Sequence, residues 1–214
     1  MTTDVSCQPP PAAGTLVPAG GYSLVLPPGW RRIPLRTGTD KAIRAVVRES
    51  LASLPRDAPP DQVGPRRLEL ERRLTQMTQQ ARDRGGVDLY LPAGPVYRAP
   101  VAASFLVSEL SLGPADPASV AASITAGDHA WQPVTVDRVC GLRVERTTEP
   151  APGGAEVAAR HVDYVIPVPG RPGRWLVIAF STLGGGDPGD EIARLLAELF
   201  DAIVSTFGWQ WEDR

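Results

Sequence analysis

Two hydrophobic periods take turns along the chain. Tyr22, Leu24 and Leu26 fall two residues apart, the period of a half-buried strand, and Pro27-Pro28-Gly29 turns the chain after them. From Thr39 the period lengthens: Ile43, Val46, Val47, Leu51 and Leu54 share one helical face, with Lys41, Arg44, Arg48 and Glu49 opposite, and Pro55 ends the helix. A loop carrying Pro59, Pro60 and Pro65 leads into a second predicted helix, whose stripe is Leu70, Leu74, Met77 and Ala81 and whose C-terminal cap is Gly85-Gly86.

Strand patterning then resumes. Val87, Leu89 and Leu91 share a face, and an apolar run over 101–112 centres on Phe105 and Val107. Asp116-Pro117 reads as the cap and first residue of a short helix over 118–124. Four further strands are predicted at 134–139, 141–147, 156–168 and 174–182. The last three are joined by loops of hairpin length at 149–154 and 169–173, so an antiparallel meander is the economical pairing. Asp187-Pro188 opens a C-terminal helix, with Asp190 at the capping-box position and Ile192, Leu195, Leu196, Leu199, Ile203 and Phe207 along one face. The expected fold class is α+β: a largely antiparallel sheet covered by helices and closed by a C-terminal amphipathic helix. Residues 1–19, rich in Pro, Ala and Gly, read as a tail, and residues 20–212 as a single domain.

Composition changes this picture little. The 214 residues include 43% hydrophobic and 21% charged side chains, which is ordinary for a globular protein, whereas 21 glycines and 23 prolines imply many short elements. A net charge of −2 supplies no field that would draw in nucleic acid or an anionic membrane. The sequence from Met1 to Cys7 has neither a basic nor an apolar stretch of the secretory type, and no run approaches the ~18 apolar residues of a membrane span. Cys7 and Cys140 lack CxxC spacing and read as two reduced thiols, so the expected setting is the cytoplasm.

Reactive side chains are sparse. His161-Val162-Asp163 places an imidazole and a carboxylate on one strand face, the start of a ligand cleft, although alternating polar residues on a solvated sheet face are the simpler reading. Asp128-His129 reads as a turn, and Cys140-Gly141 as a small buried thiol rather than half of a nucleophilic dyad. Gly184-Gly185-Gly186-Asp187 precedes a helix, where backbone N–H groups can hold an anion. The lysine and Ser/Thr of a phosphate loop do not follow it, and Asp187 would repel a phosphate. Arg66, Arg67, Arg72, Arg73, Arg82 and Arg84 make the second helix basic, but Glu69, Glu71 and Asp83 offset them, as on a solvated face. Trp30 is expected in the core. Trp209 and Trp211 follow Phe207 at alternating spacing near the end of the chain; they either pack against the sheet or are displayed as anchors for a protein interface. No catalytic, cofactor-binding or metal-binding residue is assigned, and no cofactor is expected.

The strand ending in Leu26-Pro27-Pro28-Gly29-Trp30, the late strand Trp175-Leu176-Val177-Ile178-Ala179-Phe180-Ser181 and the closing helix ending near Phe207 resemble the Mog-type, PsbP-like fold. That group includes Ran-binding Mog proteins, photosystem extrinsic proteins and actinobacterial lipoproteins. The segment Gly85-Gly86-Val87-Asp88-Leu89-Tyr90-Leu91-Pro92, with the Arg- and Ala-rich composition, is similar to uncharacterised actinobacterial proteins found beside small helical substrates of type VII secretion. These resemblances imply an α/β/α sandwich acting as a cytoplasmic accessory or chaperone-like adaptor. Its partner would be a protein, such as a small helical secretion substrate, with neither nucleic acid nor membrane as a partner. They bring no catalytic residue to carry over, and the signal peptide and lipobox of the lipoprotein branch are not found here. The alternative expectation is a small-ligand-binding domain or hydrolase that uses a sheet-edge cleft with His161 and Asp163.

Overall fold

The computed structural model describes residues 19–52, 60–93 (side chains from 63), 101–113, 119–120, 123, 131–149 and 158–211. The expected tail, apart from Ala19, lies outside them. So does most of the helix expected at 118–124, of which Ser119, Val120 and Ser123 are helical. The architecture is α+β, and the chain divides into two compact units, Leu26–Ser108 and Met1–Val25 with Glu109–Arg214. No helix of the described residues is long and apolar enough to cross a membrane.

In the Leu26–Ser108 unit, strand β2 (Trp30–Pro34) leads into helix α1 (Thr39–Leu51) and helix α2 (Pro60–Asp83). Strand β3 (Gly86–Pro92) then pairs antiparallel with β2, Ile33 opposite Leu89, and on its other side with β4 (Ala103–Ser111), Tyr90 opposite Phe105. One sheet face meets the helices in a core of Ile33, Leu35, Ile43, Val46, Val47, Leu74, Ala81 and Leu89. The other face carries the stacked rings of Tyr90 and Phe105, 4.4 Å apart, with Trp30 buried beside them as expected. The turn out of α2 is tight: a Cβ at Gly86 would lie 2.6 Å from the Ala81 carbonyl oxygen, so only glycine lets β3 start there.

Two sequence expectations are corrected in this unit. Pro60 and Pro65 belong to α2 rather than to the loop before it. A proline is tolerated in the first turn because its missing N–H has no intrahelical acceptor there, and Pro65, one turn further on, forfeits a single bond. Along α2, Leu74, Thr78 and Ala81 are buried while Met77 is exposed, so the helix is rotated away from its most apolar stripe. Thr78 can enter the interior because its hydroxyl donates to the Thr75 carbonyl at 3.0 Å.

The second unit is built on four antiparallel strands in meander order: β5 (Trp131–Val136), β6 (Val139–Thr148), β7 (Ala159–Pro167) and β8 (Arg174–Thr182). Residues from Glu109 on belong to this unit, and just after β4 the Leu112 N–H donates to the Gly173 carbonyl at 3.0 Å. The predicted strand 134–139 contains a turn instead. Asp137 and Arg138 both have positive φ, 42° and 66°, and join β5 to β6 as a two-residue hairpin loop. Aspartate tolerates that conformation, and without the usual Asn-Gly or Asp-Gly pair the turn leaves no strong mark on the sequence.

Helix α3 (Glu191–Ser205) packs on one face of the meander through Ala193, Ala197, Phe200, Ile203 and Val204, with Phe200 stacked 4.8 Å from Phe180. It starts later than Asp187-Pro188 suggested: Asp190 is the cap, its Oδ1 accepting the Ala193 N–H at 2.6 Å, while Asp187 accepts from Gly189 in the preceding turn. The helix is also rotated relative to expectation, so that Ile192 and Leu195 stand in solvent. After α3 comes a strand, β9 (Gly208–Trp211), paired antiparallel with β1 (Ala19–Ser23), Tyr22 opposite Trp209. The first strand therefore stops before Leu24, short of the predicted Leu26.

Candidate functional site

His161 and Asp163 do share a face, as the alternation along β7 requires, but β7 is an interior strand bonded to β6 on one side and β8 on the other. Both side chains sit in the middle of the sheet rather than in an edge cleft. The register sets Arg146 of β6 opposite His161, and Val144 opposite Asp163. Asp163 is only 2% exposed, and an Arg146 guanidinium nitrogen lies 3.3 Å from its Oδ2. The Nε of Arg146 is itself buried without a hydrogen-bond partner. His161 Nε2 is 3.2 Å from the Thr148 hydroxyl, and burial, reinforced by the Arg146 charge, pushes the imidazole down to about 4. At neutral pH the ring is therefore uncharged. Along the same face, the sheet continues into an apolar cluster of Val165, Trp175, Val177 and Val120.

On the opposite face of the same two strands lies a denser constellation that the sequence reading missed. Arg143 forks onto both oxygens of Asp201 in α3, at 3.1 and 2.9 Å, and onto Glu145 at 2.8 Å. Glu145 also accepts from Arg160 at 2.7 Å, and the Tyr164 hydroxyl donates to Asp201 at 2.8 Å. Burial, then the neighbouring Asp201 charge, pushes the Tyr164 phenol above its ordinary range. For Glu145, burial acts upward, but the guanidinium groups of Arg143 and Arg160 outweigh it and hold the carboxyl below its usual value. A groove of about 370 Å³ opens beside this network, lined by Val134, Val136, Asp137, Tyr164, Asp201 and Val204 among others. The available signal was parity: Arg143 and Glu145 share one face of β6, as Arg160 and Tyr164 share one face of β7.

The two terminal tryptophans part company. Trp209 is 8% exposed, edge-on to Phe207 at 4.9 Å, and its backbone N–H donates to Asp137 at 2.8 Å. Trp211, two residues further along the same strand, is 49% exposed. Beyond them, the Gly-rich turn before α3 is already occupied by a carboxylate of the protein, since the Gly185 N–H donates to Asp190 Oδ2 at 2.7 Å. Cys140 is disulfide-bonded, which corrects the expectation of a reduced thiol; the other cysteine, Cys7, lies outside the described residues. So does His129. Among the described residues no group of three or more His, Cys, Asp or Glu side chains is placed to hold a metal ion. The chain matches no protein-family model and no curated protein.

Proposed function

We propose that this chain is a non-enzymatic protein-binding adaptor, of the accessory or chaperone-like kind that the resemblance to secretion-linked proteins implies. The observation that carries this reading is Trp211, a large aromatic side chain half in water on a strand whose neighbouring tryptophan is packed. Keeping such a ring in solvent on paired backbone gains nothing for folding, whereas tryptophan is the side chain most enriched at the energetic centres of protein interfaces. The exposed Ile192 and Leu195 of α3 support the same reading, because they are apolar side chains on a helix that is otherwise well docked.

Trp211→Ala is the test. Its stability should stay within about 0.5 kcal/mol of the parent, as for other exposed positions. Affinity purification from the native source should return one stoichiometric protein with the parent chain and at least tenfold less of it with the variant. If the parent captures no stoichiometric protein, or the purified chain turns over a substrate and loses that activity on His161→Gln, the adaptor reading is wrong.

A further inference from the structure

We infer that helices α1 and α2 form a docking groove for an acidic, amphipathic segment of a partner protein. Lys41, Arg44 and Arg48 stand on the outer face of α1 and Arg67 on α2; together they wall a cavity of about 400 Å³ with Val47 and Leu51 in its lining. Among the described residues no carboxylate lines it. Leu51 also lines an adjoining cavity of about 530 Å³, together with Pro65 and Leu70, so the apolar floor runs on between the helices; Arg66, Arg73 and Glu69, the last ion-paired to Arg73, line it as well.

The pairing of charges on the two helices is uneven. On α2, Arg67 is bonded to Glu71 at 3.0 Å, and Arg72 and Arg73 both reach Glu69, at 2.9 and 2.5 Å. On α1, Lys41, Arg44 and Arg48 have no ion-pair partner among the described residues. Three unneutralised cations on one helix face repel one another, and they do so in a chain whose net charge is −2. Cationic walls over an apolar floor complement a segment that offers carboxylates on its flanks and aliphatic side chains between them, the arrangement of a helix laid in a groove. A nucleic-acid backbone would meet the guanidinium groups but leave Leu51, Pro65 and Leu70 uncovered.

This inference rests on the reading of the chain as a protein binder, but it concerns a different surface from Trp211. The experiment is fluorescence anisotropy of the full chain with a labelled helical peptide of about 20 residues, with leucines at i, i+3, i+4 and i+7 flanked by glutamates. Saturable binding is expected, weakening as salt is added. Arg44→Glu with Arg48→Glu should reduce affinity at least tenfold while the melting temperature is retained, since both side chains are exposed. A lysine version of the peptide should then bind the reversed variant better than the parent. Trp211→Ala should leave the peptide's affinity unchanged, so failure at the groove and failure of the adaptor reading are told apart. Absence of saturable binding, indifference to the double charge reversal, or preference for a labelled DNA duplex or an anionic vesicle over the peptide would each overturn the inference.

Discussion

The two faces of strands β6 and β7 make the same choice of residues and reach opposite states. On the face toward α3, Arg143 is 13% exposed and meets three carboxylate oxygens, while a tyrosine hydroxyl and a second arginine complete the set. On the other face, Arg146 is 22% exposed yet has a single long contact with Asp163, a buried Nε without a partner and an imidazole driven neutral beside it. A guanidinium removed from water stabilises a structure only when its donors find acceptors. The first face is thus a strut that fixes α3 to the sheet. On the second, the buried Arg146 Nε is left without an acceptor.

The largest expected effect breaks the strut. Asp201→Ala would leave Arg143 with one carboxylate and the Tyr164 hydroxyl without its acceptor, and should cost about 3 kcal/mol, read from the midpoint of urea unfolding. The corresponding change on the other face should be far milder. Replacing both charges there, Arg146→Met with Asp163→Asn, removes the buried pair together with the unmatched Arg146 Nε and should shift stability by about 1 kcal/mol or less in either direction. Equal losses on the two faces would dissolve the contrast between them.

The smallest effect is one of pH. Burial and the Arg146 charge hold His161 down to about 4 in the folded chain, whereas unfolding returns it to the ordinary imidazole value of about 6.5. Between those limits the unfolded state binds more protons, so stability falls as pH drops from about 6.5 toward 4. His161→Asn should flatten the melting-temperature profile between pH 6.5 and 5. The depressed Glu145 carboxyl acts in the same direction only below the ordinary carboxylate range, so it leaves that window clear. An unchanged slope in the variant would mean that the imidazole is solvated.

Several elements were legible because the relevant physics is local. Arg174–Thr182 is a strand at its predicted limits, since a run of β-branched and aromatic residues between two turns has no competing helical period. Helix α1 begins at the predicted Thr39 and buries the predicted Ile43, Val46 and Val47, although it ends at Leu51, and the predicted Leu54 lies outside the described residues. The hairpin at Asp137-Arg138 was hidden, because its residues are permissive for the turn without demanding it. The rotations of α2 and α3 were hidden for another reason. Each leaves apolar side chains in solvent, Leu68 and Met77 on α2 and Ile192 and Leu195 on α3, and which ones are left out depends on the elements packed against the helix.

Patterning along the chain was enough to determine the α+β class, the antiparallel meander and the shared face of His161 and Asp163, because each follows from a repeat of two or 3.6 residues and from turn chemistry. Tertiary structure alone decided that β7 lies inside its sheet, that Asp201 reaches Arg143 across 58 positions, that Trp209 is packed while Trp211 is not, and that the cations of α1 and α2 face one groove. These depend on which elements become neighbours, and a period in the sequence holds no information about distances between segments far apart along the chain.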